Sequence, residues 1–185
     1  ADYKVDFIGD LPVPIFGGQQ QYAQRMIDEG KEAGVNPRRV WPQSFNRDDV
    51  LYWIQQEPRF GRQAVFLDSI DPTATPAIPR QSLAELRALK QRGVKIIAPP
   101  LWALLAVNEA GKVVPSDYAR DIKGVGLDII AWSFERADLR RGAGKAGWYY
   151  LFDPQGKAIK TDSDMYKALD ELARKVGILG IFSAW

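Results

Sequence analysis

Along this 185-residue chain each strand signal is followed by a helix signal, and that alternation restricts the fold more than any other feature. An apolar run, Tyr3 to Ile8, ends at a stretch whose Pro12 and Pro14 can neither continue a ladder nor enter a helix interior. Tyr22, Ala23, Met26, Ile27 and Ala33 then fall at helical spacing between Gln20 and Ala33, with Gly34 as a stop. Arg39 to Phe45 reads as a short strand, and Asn46 starts a helix over Arg47 to Gln56 that Pro58 ends. The pattern repeats with a strand at Ala64 to Asp68. A capping box, Ser82-Leu83-Ala84-Glu85, opens a helix through Arg92. Val94 to Ala98 is the next strand, Ser116 to Lys123 a helix, and Leu127 to Phe134 the longest strand. Thr161 to Val176 is the clearest amphipathic helix, with Met165, Leu169, Leu172, Ala173 and Val176 as its apolar stripe, and Leu179 to Phe182 is a final strand.

Strands that alternate with helices need right-handed crossovers and therefore a parallel sheet, which makes the chain α/β. An open doubly wound sheet and a (β/α)₈ barrel both satisfy that pattern. No G-x-G-x-x-G follows the first strand and no P-loop occurs, which weakens a nucleotide-binding open sheet. Several strand ends carry polar or aromatic residues: Gln43-Ser44-Phe45, Asp68-Ser69, Pro99-Pro100-Leu101-Trp102 and Trp132-Ser133-Phe134-Glu135. In a barrel these would gather at the mouth where active sites lie. The expectation is a TIM-barrel type present as a partial barrel of about six strands, against the eight that closure needs, in one domain spanning 1–185.

Composition then limits the chemistry. The chain has neither histidine nor cysteine, so it cannot build a Ser-His-Asp or Cys-His nucleophile or a His- or Cys-ligated zinc site. Acid and base work would fall to carboxylates, lysine or tyrosine. A net charge of +2 from 25 basic and 23 acidic residues argues against nucleic acid as a partner. The basic run from Arg136 to Lys145 is rich in glycine and reads as a solvated loop. No apolar stretch approaches the roughly 20 residues of a membrane span, and no basic-then-apolar leader precedes the first strand.

Six segments together resemble one family. Val40-Trp41-Pro42-Gln43-Ser44-Phe45-Asn46, Asp49 to Trp53, Val94 to Pro100, Pro115 to Ala119, Leu127 to Arg136 and Gly177 to Trp185 are similar, in collinear order from about Tyr22 to Trp185, to the C-terminal portion of the glycerophosphodiester phosphodiesterases. That resemblance implies a barrel enzyme that hydrolyses a glycerophosphodiester to an alcohol and glycerol 3-phosphate with calcium or magnesium. It also favours a periplasmic or secreted location. The family's catalytic histidines and acidic metal ligands have no counterpart here. Asp6 or Asp10 could at best stand in for a metal-binding glutamate, and Ala184 lies where a carboxylate is common. The expectation is a chain that holds no metal by itself, does not turn over substrate alone, and either keeps a substrate wall or associates with the missing half or with itself.

The wall would be made by Gln43, Ser44, Phe45, Trp102, Trp132, Phe134 and Glu135. Period-two alternation places Trp132 and Phe134 on one side of their strand, above Ile130. Glu135 follows with a carboxylate for substrate hydroxyls or for a surface pair with Arg136 or Arg140. Asp68 lacks neighbouring acids at a ligand spacing and reads as a turn residue. Trp41 and Trp53 read as core.

Overall fold

The computed structural model describes residues 16–134, 137–141 and 148–183. The expected first strand, Tyr3 to Ile8, and the residues Asp6, Asp10, Glu135 and Ala184 lie outside the described residues. Helices α1 (Gln19–Glu32), α2 (Arg47–Gln56), α3 (Pro58–Gly61), α4 (Leu83–Gln91), α5 (Asp117–Gly124) and α6 (Met165–Glu171) alternate with strands β1 (Gln43–Ser44), β2 (Val65–Leu67), β3 (Ile96–Ala98), β4 (Leu105–Val107), β5 (Val113–Pro115), β6 (Asp128–Phe134) and β7 (Gly180–Ser183). No helix among them is long and apolar enough to cross a membrane.

The α/β class expected from the alternation holds, but the partial barrel does not. Among the described residues five strands form a parallel sheet in the order β1-β2-β3-β6-β7, with no barrel closure. The remaining two, β4 and β5, form a separate antiparallel ribbon, paired Leu105 to Pro115 and Val107 to Val113. Their connection explains why these two add nothing to a parallel barrel wall. Asn108 accepts hydrogen bonds from Lys112 N on its side chain (2.9 Å) and from Gly111 N on its carbonyl (2.9 Å), and Gly111 takes φ +73. A turn that tight joins antiparallel neighbours, because a parallel crossover needs a dozen or more residues.

The chain forms two compact units, each drawn from two stretches of sequence: Ala1–Leu67 with Arg87–Ile97, and Asp68–Leu86 with Ala98–Trp185.

In the first unit, α1 buries Ala23, Met26 and Ile27, the face its spacing announced. Helix α2 begins where Asn46 accepts from Asp48 N (2.9 Å) and buries Val50, Leu51 and Trp53. Trp53 is fully buried and its indole N–H donates to Ala23 O (3.0 Å), so the core reading of Trp53 stands. Trp41 does not follow it: that side chain is 46% exposed, because the expected strand from Arg39 shrinks to Gln43–Ser44 after a helical turn at Pro37–Arg39. Strand β1 runs parallel to β2 with Gln43 opposite Val65 and Ser44 opposite Phe66.

In the second unit, Ser116 accepts from Ala119 N (3.1 Å) and starts α5, which buries Tyr118, Ala119 and Ile122. Strand β6 pairs in parallel with β7, Ile130 with Gly180 and Ala131 with Ile181. The predicted helix over Thr161 to Val176 is a composite. A short helical turn at Asp162–Asp164 leads into α6, and the last turn, Leu172–Val176, widens to π geometry before Gly177 at φ +71. Widening rotates the stripe, so Ala168, Leu172 and Val176 are buried while Ala173, expected inside, is exposed.

Candidate functional site

A cluster of aromatic and polar side chains in the second unit gathers at carboxyl ends of parallel strands, where open α/β sheets place their ligands. Strand β2 ends at Leu67, and the next residue, Asp68, donates its N–H to Ala98 O (2.9 Å) at the end of β3. The same carbonyl accepts the indole N–H of Trp132 (2.6 Å), which uses its second lone pair. Beyond Ala98, Pro99 O accepts Trp132 N (3.3 Å), and Pro100 bridges to Trp132 in parallel sense. Two prolines lack the N–H that would extend the ladder, so β3 stops and the chain turns into the helical segment Leu101–Leu104 carrying Trp102.

Trp132 and Trp102 are joined through Trp148. The rings of Trp132 and Trp148 stack with centroids 5.4 Å apart and planes 21° from parallel, whereas Trp102 meets Trp148 edge-on at 5.3 Å and 85°. Tyr149 adds a second edge contact to Trp148 at 5.2 Å. All four rings are half-buried, a wall with apolar faces turned partly to solvent. The Trp148 indole N–H donates to Asp71 Oδ1 (3.2 Å). Asp71 also accepts from Thr73 N (2.8 Å) and Thr73 Oγ1 (2.7 Å), and these bonds hold its carboxyl below the ordinary aspartate range. The indole nitrogen of Trp102 is buried without a hydrogen-bond partner among the described residues, a donor that a ligand oxygen would satisfy.

Next to this wall Asp68 plays a different part. It is 1% exposed, and its carboxylate accepts from Tyr118 OH (2.5 Å) and Gln81 Nε2 (3.1 Å), with the Arg80 guanidinium 5.6 Å from the Tyr118 ring centre. Burial pushes the Asp68 carboxyl up from its ordinary value, and burial together with the Asp68 charge pushes the Tyr118 hydroxyl up. The strand-end acids do not fit the calcium or magnesium that the resemblance implies. Both oxygens of Asp68 are engaged by Tyr118 and Gln81, and Asp71 is turned to Thr73 and Trp148.

Of the expected wall residues, the second unit brings Trp102 and Trp132 together. Phe134 sits elsewhere. The β6–β7 register slips between Ala131 and Phe134, where an extra residue on β6 breaks the alternation that placed Phe134 beside Trp132. Phe134 is 3% exposed and meets Tyr166 edge-on at 6.1 Å. Gln43, Ser44 and Phe45 belong to the first unit. Ser44 donates to Asp49 Oδ2 (2.8 Å) and accepts from Asn46 N (3.0 Å), while Gln43 is buried and Phe45 half-buried. Gln19 Nε2 also reaches both Asp49 oxygens at 2.9 Å, so Ser44 and Asp49 tie β1 to the two flanking helices. Sequence reasoning missed Trp148, Tyr149 and Asp71. The aromatic pair follows the glycine-rich stretch read as solvated loop, and only the density of aromatics at Trp148-Tyr149-Tyr150 signalled a packed segment.

Over 178 residues the chain is 40% identical to a protein of Arthroderma benhamiae described as an extracellular protein, a match that covers 95% of this chain and 71% of the relative. The two chains belong to one family. No family model matches the sequence. Because the match spans 95% of the chain, the tryptophan wall and both compact units fall essentially inside the shared region.

Proposed function

We propose that this chain is the substrate-holding part of an extracellular glycerophosphodiester phosphodiesterase, with the glycerol or alcohol portion of the substrate against Trp102, Trp132 and Trp148. The observation that carries this reading is the half-exposed tryptophan wall at the carboxyl ends of β3 and β6, with one buried indole N–H left to donate. The collinear resemblance supplies the substrate class, and the relative described as extracellular supports the location. Aliphatic C–H faces of a polyol pack on indole rings, and the Trp102 N–H would bond one of its oxygens. Asp71, held ionised by Thr73, repels a phosphate and attracts hydroxyls, which orients the ligand with its phosphate away from Asp71. The chain contains no histidine, so the acid and base of the family reaction are not among its residues, and it binds without cleaving.

Indole fluorescence during titration with glycerol 3-phosphate and with a glycerophosphodiester tests the reading. Saturable quenching is expected, weakened about tenfold in Trp132→Ala, which corresponds to about 1.4 kcal/mol. Absence of saturation for both ligands, or equal affinity in the variant, would overturn it. Turnover of the diester by this chain with added calcium would overturn the assignment of binding without cleavage.

A further inference from the structure

A second groove in the same unit, outside the tryptophan wall, has the chemistry of an anion site. It has a volume of about 690 Å³, within the range of small-molecule sites, and is bounded by the β4–β5 turn, the segment 157–160 and α6. Its lining includes four lysines, Lys112, Lys157, Lys160 and Lys167, against three acids, Asp164, Asp170 and Glu171. Two of those acids are already paired, Asp164 with Lys167 (2.5 Å) and Asp170 with Arg174 (2.7 Å). Lys112, Lys157 and Lys160 remain exposed with no carboxylate within salt-bridge distance among the described residues, so the groove carries three unpaired ammonium groups against Glu171.

The backbone beneath two of these lysines is fixed. Asp153 accepts from Lys157 N, Ala158 N and Ile159 N, each at 2.8 Å, and Asp164 accepts from Lys160 N (3.0 Å) and Thr161 N (2.9 Å). Two carboxylates thus take up consecutive amides of the 157–161 segment, and the ammonium groups of Lys157 and Lys160 project from a chain that is already ordered. Ordering before binding lowers the entropic cost of capturing a ligand. Tyr166, 64% exposed, lines the groove beside them and offers a ring face to an organic body.

We propose that this groove binds a small organic phosphate monoester, with Lys112, Lys157 and Lys160 around the phosphate and its organic part on Tyr166. A monoester is largely dianionic at neutral pH and presents three acceptor oxygens, the complement of three compact ammonium charges. Among the described residues no arginine lines the groove, so recognition is by charge and not by a planar fork. Glu171 and the net charge of only +2 disfavour a long polyanion such as nucleic acid.

Calorimetry at fixed ionic strength with phenyl phosphate and inorganic phosphate tests this. Phenyl phosphate is expected to bind with a dissociation constant of about 1 mM or tighter. The double variant Lys157→Glu, Lys160→Glu should weaken both ligands more than about tenfold, and Tyr166→Ala should weaken phenyl phosphate while leaving inorganic phosphate unchanged. Near-UV circular dichroism checks that these surface changes leave the fold intact. Trp132→Ala is expected to leave phenyl phosphate binding unaltered, which separates this site from the tryptophan wall. No saturable binding of phenyl phosphate, or undiminished binding in the folded double variant, would overturn the proposal. An equal loss for the two ligands in Tyr166→Ala would remove the tyrosine from the site.

Discussion

Asp68 lies directly after β2, with its carboxylate buried in the second unit. In the sequence it ends a strand without acidic neighbours and reads as a turn aspartate. In the fold it is 1% exposed and holds two side-chain donors, Gln81 and Tyr118. Those partners lie 13 and 50 residues away, so no local pattern could announce them. Burial raises its carboxyl above the ordinary value of 3.8, which means the folded chain keeps a proton that the unfolded chain releases. Its contribution to stability is therefore complete below that ordinary value and is lost as pH rises through the raised one. Asp71 and Asp164, both held low by hydrogen bonds, act in the opposite sense and lose their contribution as pH falls. The contribution of Asp68 is thus best isolated as a difference. Asp68→Asn keeps an oxygen for Tyr118 and an amide for a flipped Gln81, but does not titrate. Urea midpoints measured from about pH 4 to pH 7 should fall less with rising pH in the variant than in the parent chain. Parallel pH profiles would contradict the burial argument.

Among the elements, local chemistry decided what could be read in advance. The capping box at Ser82 and Glu85 forms as expected, with Glu85 Oε2 accepting Ser82 N (2.7 Å) and Ser82 Oγ accepting Glu85 N (3.3 Å). Asn46 and Ser116 likewise open α2 and α5, because a cap needs only residues within one turn. The β4–β5 ribbon was not legible, since three-residue strands carry too little alternation to stand out. The register slip in β6 escaped for another reason: it is defined by the pairing with β7, almost 50 residues further along. Helix α3 was also missed, although Pro58 at its first turn is a start signal as well as the stop for α2. That short helix packs through Gly61, where an added Cβ would lie 2.1 Å from Trp53 O. The obstacle is backbone of the neighbouring helix, so it cannot rotate away. Gly61→Ala should cost about 3 kcal/mol of unfolding free energy, read from urea denaturation with an unchanged m-value. A loss below about 0.5 kcal/mol, typical of surface positions, would show that α2 and α3 can separate without penalty.

At the scale of the molecule, the alternation of strands and helices predicted the α/β class, whereas the expected partial barrel of about six strands gives way to a five-stranded parallel sheet and an antiparallel ribbon among the described residues. In the second unit Trp102 and Trp132 do meet, through Trp148, beyond carboxyl ends of parallel strands, but an open sheet gives the same arrangement as a barrel mouth, so that signal could not separate the two. Nor could the sequence reveal two compact units. The chain passes between them after Leu67, after Leu86 and after Ile97, so neither unit is a continuous stretch with a linker that composition would mark. This interleaving has a consequence for folding. The segment 68–86 supplies Asp68, Asp71, Arg80 and Gln81, which are the partners of Tyr118 and Trp148 in the second unit. A fragment of residues 98–185 would keep α5 and β6 yet leave the Tyr118 hydroxyl without its acceptor and the tryptophan wall without Asp71. The fragment is expected to lack a cooperative urea transition and to show weak near-UV circular dichroism. A fragment of residues 68–185 restores those four partners but also carries the bridging half of α4 and β3. It should regain the near-UV tryptophan signal, and a cooperative transition in the shorter fragment would show that the second unit does not depend on residues 68–86.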